Sequence, residues 1–484
     1  MSISSALLSA KSGLTAVSTR ADLVAQNIAN ASTPGYVRRS LTVSETIVGG
    51  NTAGVQVISV DRALDTNLTN ERRRLGSDMA QSDILSETWA SLSRRIGDDP
   101  QSSTLFQHIS ALDNAFKNAA QSPESTTHAN ESIRAANNLT GEFNSLSTLI
   151  STERLRADQD IAATIDNLNA MLKQVEELNG AIAKVDRTTS QAASLLDERG
   201  RVLDKISEYL PIQTFPREGG SIDVLTTEGV YLVAGQAKTV EFTPANTIGP
   251  NISLAGGTLS GLTVDGLDIT PGATTFGAVS SGSLAALFTL RDTDLPVLST
   301  QLDAMAQDLI DRFSDPSIDA TNPAGSPGFL LDTNAAAGAG VAGRIELNAL
   351  VDPSRGGDAW RIRDGLGAAV EGPPGNTTIL TNLSTAFETV QNVSVAGLQG
   401  GFTASDLIAQ LGTLAGQQRV QNESTLSSIS IQFDAVQRAE AAEPAVDNET
   451  DELQALLLIE QAYAANARVI EAASQMVNQL IEIT

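Results

Sequence analysis

The chain has 484 residues, too many for a single ordinary core, which predicts two to four domains. Its 31 Lys and Arg residues are outnumbered by 57 Asp and Glu residues, and the net charge of −26 repels nucleic-acid phosphates and anionic lipids, so neither nucleic acid nor a membrane is an expected partner. Aromatic residues make up only 4% and cysteine is absent, so we expect helical cores of aliphatic side chains without disulfides or cysteine-bound metals.

The first predicted element is an amphipathic helix at the start of the chain. A repeat of about 3.5 residues between apolar positions is typical of helices that wind together. From Ile3 this repeat meets Leu7, Ala10, Leu14, Val17, Ala21, Val24 and Ile28, all apolar. The segment Thr33-Pro34-Gly35 predicts that the helix ends in a turn. The opening residues lack a basic n-region, so no cleaved secretory signal is expected, and the lack of cysteine reflects either chance or export of an unfolded chain.

Three further apolar stripes predict helices in the middle of the chain. They consist of Ile161, Ile165, Leu168, Leu172, Val175, Asn179 and Ile182, then Leu298, Leu302, Met305, Leu309 and Phe313, and finally Leu426, Ile429, Phe433 and Val436. Helices with one apolar face associate into bundles. Residues 36–210 and 281–445 are therefore predicted to form a helical bundle domain with short strands.

A change of composition marks a β-rich insert between these helices. From Pro211 to Ser280 glycine is frequent, and apolar residues alternate with others at Ile222, Val224, Val230, Leu232, Leu262 and Val264. Short alternating runs bounded by glycine turns are typical of strands. Residues 211–280 are therefore predicted to form a small β-rich outer domain. Further along, residues 325–343 are predicted to be a loop before a short strand at 344–348.

The chain closes with a second long amphipathic helix. Steps of three and four residues from Leu456 reach Ile459, Tyr463, Asn466, Ile470, Ala473, Val477 and Leu480. Asn466 alone is polar, and such a residue either fixes the register of paired helices or marks a solvated edge. Residues 1–35 with 446–484 are predicted to form a terminal coiled-coil domain. The expected fold is mainly α, with paired terminal helices, an elongated helical bundle and the β-rich insert.

No residue pattern predicts catalysis, a cofactor or a metal site. The segment from Gly338 to Gly343 fits G-x-G-x-x-G, but a dinucleotide site needs a strand before the glycines and a helix after them, and here a loop precedes and a strand-like segment follows. His108 and His128 have no partner at ligand or catalytic spacing. The many carboxylates are scattered, which favours a solvated, repelling surface over paired catalytic acids.

Both ends of the chain resemble the signatures of flagellar rod, hook and hook-associated proteins. The resemblance rests on Ser12 to Val17, on the run Asn27-Ile-Ala-Asn30-Ala-Ser-Thr33-Pro34-Gly35-Tyr36, and on Leu453 to Ile470, which includes Gln461 and Ala462. Inside the chain, three segments resemble the flagellar hook-associated protein 1 family in particular: Ser194 to Ile206, Ser283 to Asp292 and Ile345 to Ser354. Hook subunits carry mainly β domains in the middle, so a helical middle favours this family.

The resemblance implies a structural, non-enzymatic role at the junction of hook and filament. It implies a ring whose terminal helices form an inner tube, with copies of itself, hook subunits and the adjacent filament-side junction protein as partners. Export through the flagellar type III secretion apparatus with an export chaperone, and an extracellular location on the flagellum, are implied too. The residues expected at the subunit interface are Ile3, Leu7, Leu14, Val17, Val24, Ile28, Leu456, Ile459, Tyr463, Ile470, Val477 and Leu480.

Three other interpretations stay open. A hook or distal rod subunit would share the terminal signatures. A coiled-coil signalling or scaffold protein would share the apolar stripes alone. A surface hydrolase carried on the flagellum would need a catalytic site in residues 211–280, where none is visible. The paired signatures and the helical middle together favour the junction protein.

Overall fold

Helices dominate the protein, as a computed structural model shows. The structure describes residues 3–31, 33, 35–48, 51–97, 104–186, 188–442 and 448–483. The helices are α1 Ile3–Asn30, α2 Thr66–Ile96, α3 Thr104–Gln121, α4 Thr126–Ile182, α5 Ser190–Tyr209, α6 Ser283–Thr289, α7 Leu295–Ser314, α8 Arg361–Asp364, α9 Thr378–Glu388, α10 Ala404–Ala442 and α11 Asn448–Ile483. The strands are β1 Arg39–Val48, β2 Asn51–Arg62, β3 Ile212–Pro216, β4 Ile222–Thr226, β5 Tyr231–Ala234, β6 Gln236–Ala237, β7 Val240–Glu241, β8 Thr263–Val264, β9 Leu267–Asp268, β10 Leu330–Asp332, β11 Ile345–Leu347, β12 Gln391–Val395 and β13 Leu398–Phe402. The predicted fold class is confirmed.

The first and last helices pack side by side as an antiparallel pair, here called the terminal pair (α1 and α11). A Cβ placed on Gly13 would lie 3.1 Å from the Asn466 side chain, and the Asn27 side chain donates a hydrogen bond to Glu452. Residue numbers therefore rise along one helix as they fall along the other. Asn466 lies inside the seam opposite a glycine, so the seam accommodates its polar side chain where the partner helix has none.

A long hairpin of β1 and β2 follows α1 and packs along it. The strands pair antiparallel from Arg39 opposite Arg62 to Val48 opposite Asn51, with two register shifts. The Val55 backbone N–H donates to the Ser12 hydroxyl across a distance of 3.1 Å. Gly54 has φ 113°, and a Cβ there would lie 2.1 Å from the Ser12 hydroxyl oxygen, so only glycine fits this close approach. The sequence analysis did not predict this hairpin.

The body of the protein is built around α4, a helix of 57 residues. Ser125 caps its start by accepting a hydrogen bond from the His128 backbone N–H. The N-terminal half of α4 packs in a core with α3, α7 and α9, where Phe116, Phe313, Phe329 and Phe387 meet with ring centroids 5.2 to 6.1 Å apart. The stripes predicted on α4 and α7 are buried throughout.

The β-rich insert packs on the second half of α4 and on α5. Its strands form a four-stranded antiparallel sheet, β3-β4-β5-β6, and a three-stranded one, β7-β8-β9. Val224, Leu232 and Leu262 are fully buried in one core with Leu168 and Leu172 of α4. The insert therefore shares its hydrophobic core with the helices. The domain boundaries stay a prediction, and the one between residues 445 and 446 lies outside the described residues.

A buried ion pair, here called the Arg291 anchor, ties the insert to the helices. Arg291 lies in the π-helical turn Leu290–Asp294 between α6 and α7, and its side chain and that of Asp158 on α4 are both 0% exposed. The guanidinium donates to Asp158 at 2.6 Å and to the Ser260 carbonyl at 3.0 Å. Asp158 also accepts from the Ala245 backbone N–H at 2.6 Å. One buried charge pair thus binds a helix, a turn and the insert together.

α2 and α10 run together from the bundle towards the terminal pair. The stripe predicted on α10 is half-buried, and it consists of Leu426, Ile429, Phe433 and Val436. A Cβ placed on Gly76 of α2 would lie 3.5 Å from the Phe433 ring. The segment predicted as a loop before residue 344 contains β10, which pairs with β11. The rest of that prediction agrees with the structure, since the strand at 345–347 is formed.

Candidate functional site

The terminal pair buries few of its apolar side chains within the chain. In α1 the buried residues are Ala10, Ala16, Leu23, Val24 and Asn27. Leu23 packs in a small core with Val60 of β2 and Ala193 of α5, and Leu41 borders it. One side of α1 is thus covered by the hairpin and another by α11. Leu7, Leu8 and Ile28 remain 39 to 59% exposed.

α11 exposes more apolar surface than α1, because α1 is its main partner in the described part of the chain. Ile459 and Ala473 are buried. Eight large apolar side chains of α11 are between 41 and 60% exposed: Leu453, Leu456, Leu457, Leu458, Tyr463, Val469, Met476 and Val477. Large apolar side chains exposed in this number on one helix are characteristic of protein interaction sites. We call these eight residues the α11 apolar face.

The predicted interface residues fall into three groups. Val24 and Ile459 are buried inside the chain. Ile3, Leu14, Val17 and Ile470 are half-buried. Leu7, Ile28, Leu456, Tyr463 and Val477 are exposed. The side chain of Leu480 lies outside the described residues. The assignment of these residues to a subunit interface stays a prediction, and the exposed group is best placed to meet another chain.

Asn27 lies at the centre of a buried polar cluster where α1 ends, and both the nitrogen and the oxygen of its side-chain amide form hydrogen bonds. Its Nδ2 donates to the Arg39 carbonyl at 3.0 Å and to Glu452 Oε1 at 2.9 Å. Its Oδ1 accepts from the Arg39 backbone N–H at 3.0 Å and from the Tyr36 hydroxyl at 2.9 Å. We call Asn27, Tyr36, Arg38, Arg39 and Glu452 the Asn27 hub. It fixes the end of α1 to the start of α11 and to β1.

Charges compensate each other around the hub. Arg38 donates to the Glu452 carboxylate at 2.9 Å, and that carboxylate is 6% exposed. Arg39, which also lies over the Tyr36 ring at 4.8 Å, pairs with Asp197 of α5 at 2.9 Å, and Arg62 of β2 pairs with the same carboxylate at 2.8 Å. Burial raises the pKa of the Tyr36 hydroxyl, an effect that the nearby Arg39 guanidinium opposes. The terminal pair is thereby joined to the body.

The other signature residues shape the turn or lie on the surface. Asn30 donates to the Gln26 carbonyl at 2.9 Å, and Thr33 donates its backbone N–H to the Asn30 carbonyl at 2.9 Å. Gly35 adopts φ 75°, a conformation that favours glycine, and a Cβ there would lie 2.7 Å from Arg201. Pro34 lies outside the described residues. On α11, Gln461 is exposed and Ala462 is half-buried.

The G-x-G-x-x-G segment already holds an anion from the chain itself. The Asp303 carboxylate of α7 accepts hydrogen bonds from the backbone N–H groups of Gly340, at 2.6 Å, and Ala342, at 2.9 Å. These are the donors that a phosphate would need, so the segment is a structural turn. The contact supports a structural role for this segment, and the absence of a dinucleotide stays a prediction.

The histidines stand apart from any catalytic cluster. His128 pairs with Glu131 one turn along α4, and His108 is half-buried in α3. Among the described residues no group of three or more His, Cys, Asp or Glu side chains could hold a metal ion. None of the described helices is long and apolar enough to cross a membrane.

Sequence reasoning missed most of the Asn27 hub. It singled out Asn27 and Tyr36 as signature residues without a structural role, and it did not single out Arg38, Arg39 or Glu452. Asp197 lies inside the segment Ser194 to Ile206, whose resemblance to a known family was a usable signal. The pairing of Asn27 with Glu452 spans 425 positions of sequence, and no local pattern reveals it.

Comparison with known proteins gives consistent matches. Residues 94–328 match the family described as the flagellar hook-associated protein FlgK helical domain, and residues 7–36 match the flagella basal body rod protein family. Flagellar hook-associated protein 1 of Escherichia coli K12 is 21% identical over 342 residues, 68% of this chain and 60% of that protein. The Salmonella typhimurium protein of the same name is 22% identical over 320 residues, 64% of this chain and 56% of that protein.

A third relative and one solved structure share the description. Flagellar hook-associated protein 1 of Bacillus subtilis is 23% identical over 244 residues, 47% of each chain. The flagellar hook junction protein FlgK from Burkholderia pseudomallei superposes with a TM-score of 0.45 and 17% identity, covering 54% of this chain and 46% of that one. The matched region thus spans less than two thirds of the length of each of these proteins.

Proposed function

The chain belongs to the flagellar hook-associated protein 1 family, and from that premise we propose that it is a structural, non-enzymatic subunit of the junction between hook and filament. The observation that carries the proposal is the α11 apolar face, which stays uncovered in a chain whose helices α4 and α7 bury their apolar stripes. Burying a large apolar side chain contributes about 1.5 to 3 kcal/mol, so covering this face favours assembly.

The proposed assembly is a ring in which terminal pairs of neighbouring subunits pack on each other. A pair of helices leaves much of each helix flank uncovered, whereas a ring supplies a neighbour on both sides. Hook subunits would cover one end of the ring, and the adjacent filament-side junction protein the other. An extracellular location on the flagellum is part of the proposal. Export by the flagellar type III apparatus, with a chaperone, belongs to the same proposal.

Deletion of the gene tests the function directly. Cells without the protein should build complete hooks, lack filaments and secrete flagellin into the medium. Electron microscopy of the cells, together with immunoblots of the medium, would record both results. Hooks that fail to form would instead assign the chain to the hook or the distal rod.

A matched pair of variants tests the surface. Leu457→Asp places a charge on the α11 apolar face, where Leu457 is 58% exposed, while Gln454→Asp places the same charge at an exposed polar position of the same helix. In the deletion strain, Leu457→Asp should abolish swimming and Gln454→Asp should restore it. Restoration by both variants would reject this face as the assembly surface.

The second candidate is a rod or hook subunit, and a specific observation favours it. Residues 7–36 match the basal body rod protein family, whose signature is common to several axial proteins. The match of residues 94–328 to the FlgK helical domain supports the junction protein over this candidate. A coiled-coil scaffold in the cell interior would not require either match.

A further inference from the structure

A cavity of about 690 Å³ lies where the terminal pair meets the body. It is bounded by the end of α1, the start of α2, the middle of α5 and the last turns of α10, and by strands β3 and β4. Glu452, near the start of α11, also lines it. Its volume falls within the range of about 300 to 1,000 Å³ that is usual for small-molecule sites.

The cavity is cationic in a strongly acidic protein. Six arginines line it: Arg38, Arg62, Arg72, Arg73, Arg199 and Arg201. Five carboxylates line it: Asp65, Asp197, Asp204, Glu440 and Glu452. Several of these carboxylates are shared or otherwise engaged. Asp204 accepts from both Arg72 and Arg73, and Asp65 caps the N-terminus of α2. Among the described lining residues, guanidinium groups therefore outnumber carboxylates by six to five.

Arg199 is a buried cation of this cavity that has no carboxylate partner among the described residues. It is 7% exposed, and its Nη1 donates to the neutral oxygens of Asn179, at 2.8 Å, and Gly220, at 2.9 Å. Among the described residues it forms no ion pair, and Nε and Nη2 donate no hydrogen bond. Burial, with the Arg62 and Arg73 guanidiniums nearby, lowers the pKa of Arg199 to about 10. A buried cation beside two others is in the electrostatic setting that favours a bound anion.

Arg201 adds a second uncompensated charge at the mouth of the cavity. Its side chain packs over Gly35, whose lack of a Cβ leaves the room, and it is exposed. In the described part of the chain Arg201 likewise forms no ion pair. Arg199 and Arg201 are two residues apart on α5, and both line the cavity. Residues two apart point about 200° apart around a helix, so the two side chains reach the cavity from different sides of α5.

Another buried arginine shows that burial alone does not produce such a site. Arg154 of α4 is 4% exposed and also lacks an ion pair in the described structure. However, it donates to three backbone carbonyls, those of Arg291, Gly249 and Ile252, and it lines no cavity described here. All three guanidinium nitrogens of Arg154 donate within the chain, whereas only Nη1 of Arg199 does so among the described residues.

We propose that the cavity binds a small anion with phosphate or carboxylate oxygens, held by Arg199 and Arg201 with Arg62 and Arg73 beside them. Guanidinium groups bind both kinds of oxyanion through paired N–H donors. Because the cavity is bounded by α1, α2, α5 and α10 together, the anion joins the base of the terminal pair to the body. Binding would therefore stabilise the orientation in which the terminal pair projects.

Isothermal titration calorimetry of the full chain tests the site, with inorganic phosphate and citrate as probes and sodium chloride at matched ionic strength as the reference. We expect at least one probe to bind with one site per chain. Because Arg199→Gln removes a charged hydrogen-bond donor, it should weaken binding about tenfold or more. A preference for phosphate or for citrate identifies the group that the cavity takes.

Two further variants keep the test decisive. Arg154→Gln removes another buried guanidinium and should leave the dissociation constant unchanged. Arg201 is exposed, so Arg201→Gln should leave the stability of the chain unchanged and weaken binding several-fold. This variant therefore tests the site even if Arg199→Gln impairs folding. The proposal is overturned if neither probe binds the unaltered chain, or if Arg199→Gln and Arg201→Gln both bind as the unaltered chain does.

Discussion

Two helices of this chain carry the same apolar spacing in different surroundings. On α4 the seven stripe residues from Ile161 to Ile182 are at most 6% exposed, because α5 and the insert cover them. On α11 the stripe residues Leu456, Tyr463 and Val477 are 41 to 52% exposed, because α1 covers one side only. Apolar periodicity thus predicts a helix and its apolar face. It does not predict whether another element of the same chain or a second chain covers that face.

The body and the terminal pair also differ in the polar groups that hold them together. The Arg291 anchor is a charge pair with both side chains 0% exposed. The Asn27 hub relies on a neutral amide whose four hydrogen bonds tie backbone and side chains together, and of its charged side chains Arg38 is 36% exposed. Removal of one partner from a buried charge pair costs more than loss of neutral hydrogen bonds. The body should therefore be the less tolerant region.

The largest effect is expected at the Arg291 anchor. Arg291→Met leaves the Asp158 carboxylate buried without its cation, which should lower the free energy of unfolding by about 3 to 5 kcal/mol. Urea unfolding followed by circular dichroism would measure the loss. Arg156→Met, at a side chain that is 71% exposed, is the control and should change stability by less than about 0.5 kcal/mol. Equal stability of the two variants would show that the anchor contributes nothing.

A pair of leucines tests the comparison directly. Leu168→Ala on α4 removes a fully buried side chain and should cost about 2 to 5 kcal/mol, whereas Leu457→Ala on α11 should cost less than about 0.5 kcal/mol in the monomer. Thermal unfolding of both purified variants provides the measurement. A large loss for Leu457→Ala in a verified monomer would mean that α11 is covered within the chain.

A smaller and more local effect is expected at the Asn27 hub. Asn27→Leu leaves the Arg39 backbone N–H and part of the Glu452 carboxylate without their partner, at a cost of about 1 to 3 kcal/mol. Hydrogen exchange should rise in α1 and α11 and stay unchanged in α4. Gln461→Leu changes an exposed amide of the same signature and should leave exchange unchanged. A uniform rise that includes α4 would show that the hub supports the whole fold.

The smallest effect concerns pH. Because burial raises the pKa of Tyr36 in the folded chain, the unfolded chain loses this proton first as the pH rises. The contribution of Tyr36 to stability is therefore complete below the unfolded pKa of about 10 and declines above it. Tyr36→Phe should flatten the fall in stability between pH 10 and 11, as measured by urea unfolding. An unchanged slope would mean that Tyr36 titrates as it does in the unfolded chain.

Much of the fold could be predicted because its determinants are local. The stripes on α1, α4, α7 and α11 follow from spacing, and glycine with alternating residues revealed the insert. The β1 and β2 hairpin was not predicted, although Leu41, Val43 and Ile47 alternate with polar residues before the sequence Gly49-Gly50-Asn51, whose composition is typical of turns.

The candidate sites were less predictable, because their determinants are distant in sequence. The Asn27 hub requires Glu452, and the arginine cavity requires residues from α1, α2, α5 and α10 at once. The resemblance to a known family marked Asn27, Tyr36 and the segment containing Arg199, without stating what these residues contact. Only the folded chain brings those partners within hydrogen-bonding distance.

The length of α4 has a mechanical consequence. At about 1.5 Å per residue its 57 residues form a rod of roughly 85 Å. One half of this rod belongs to the bundle core and the other half to the core of the insert, with no flexible linker between them. A twist or pull on the insert therefore reaches the bundle through one continuous helix as well as through the Arg291 anchor.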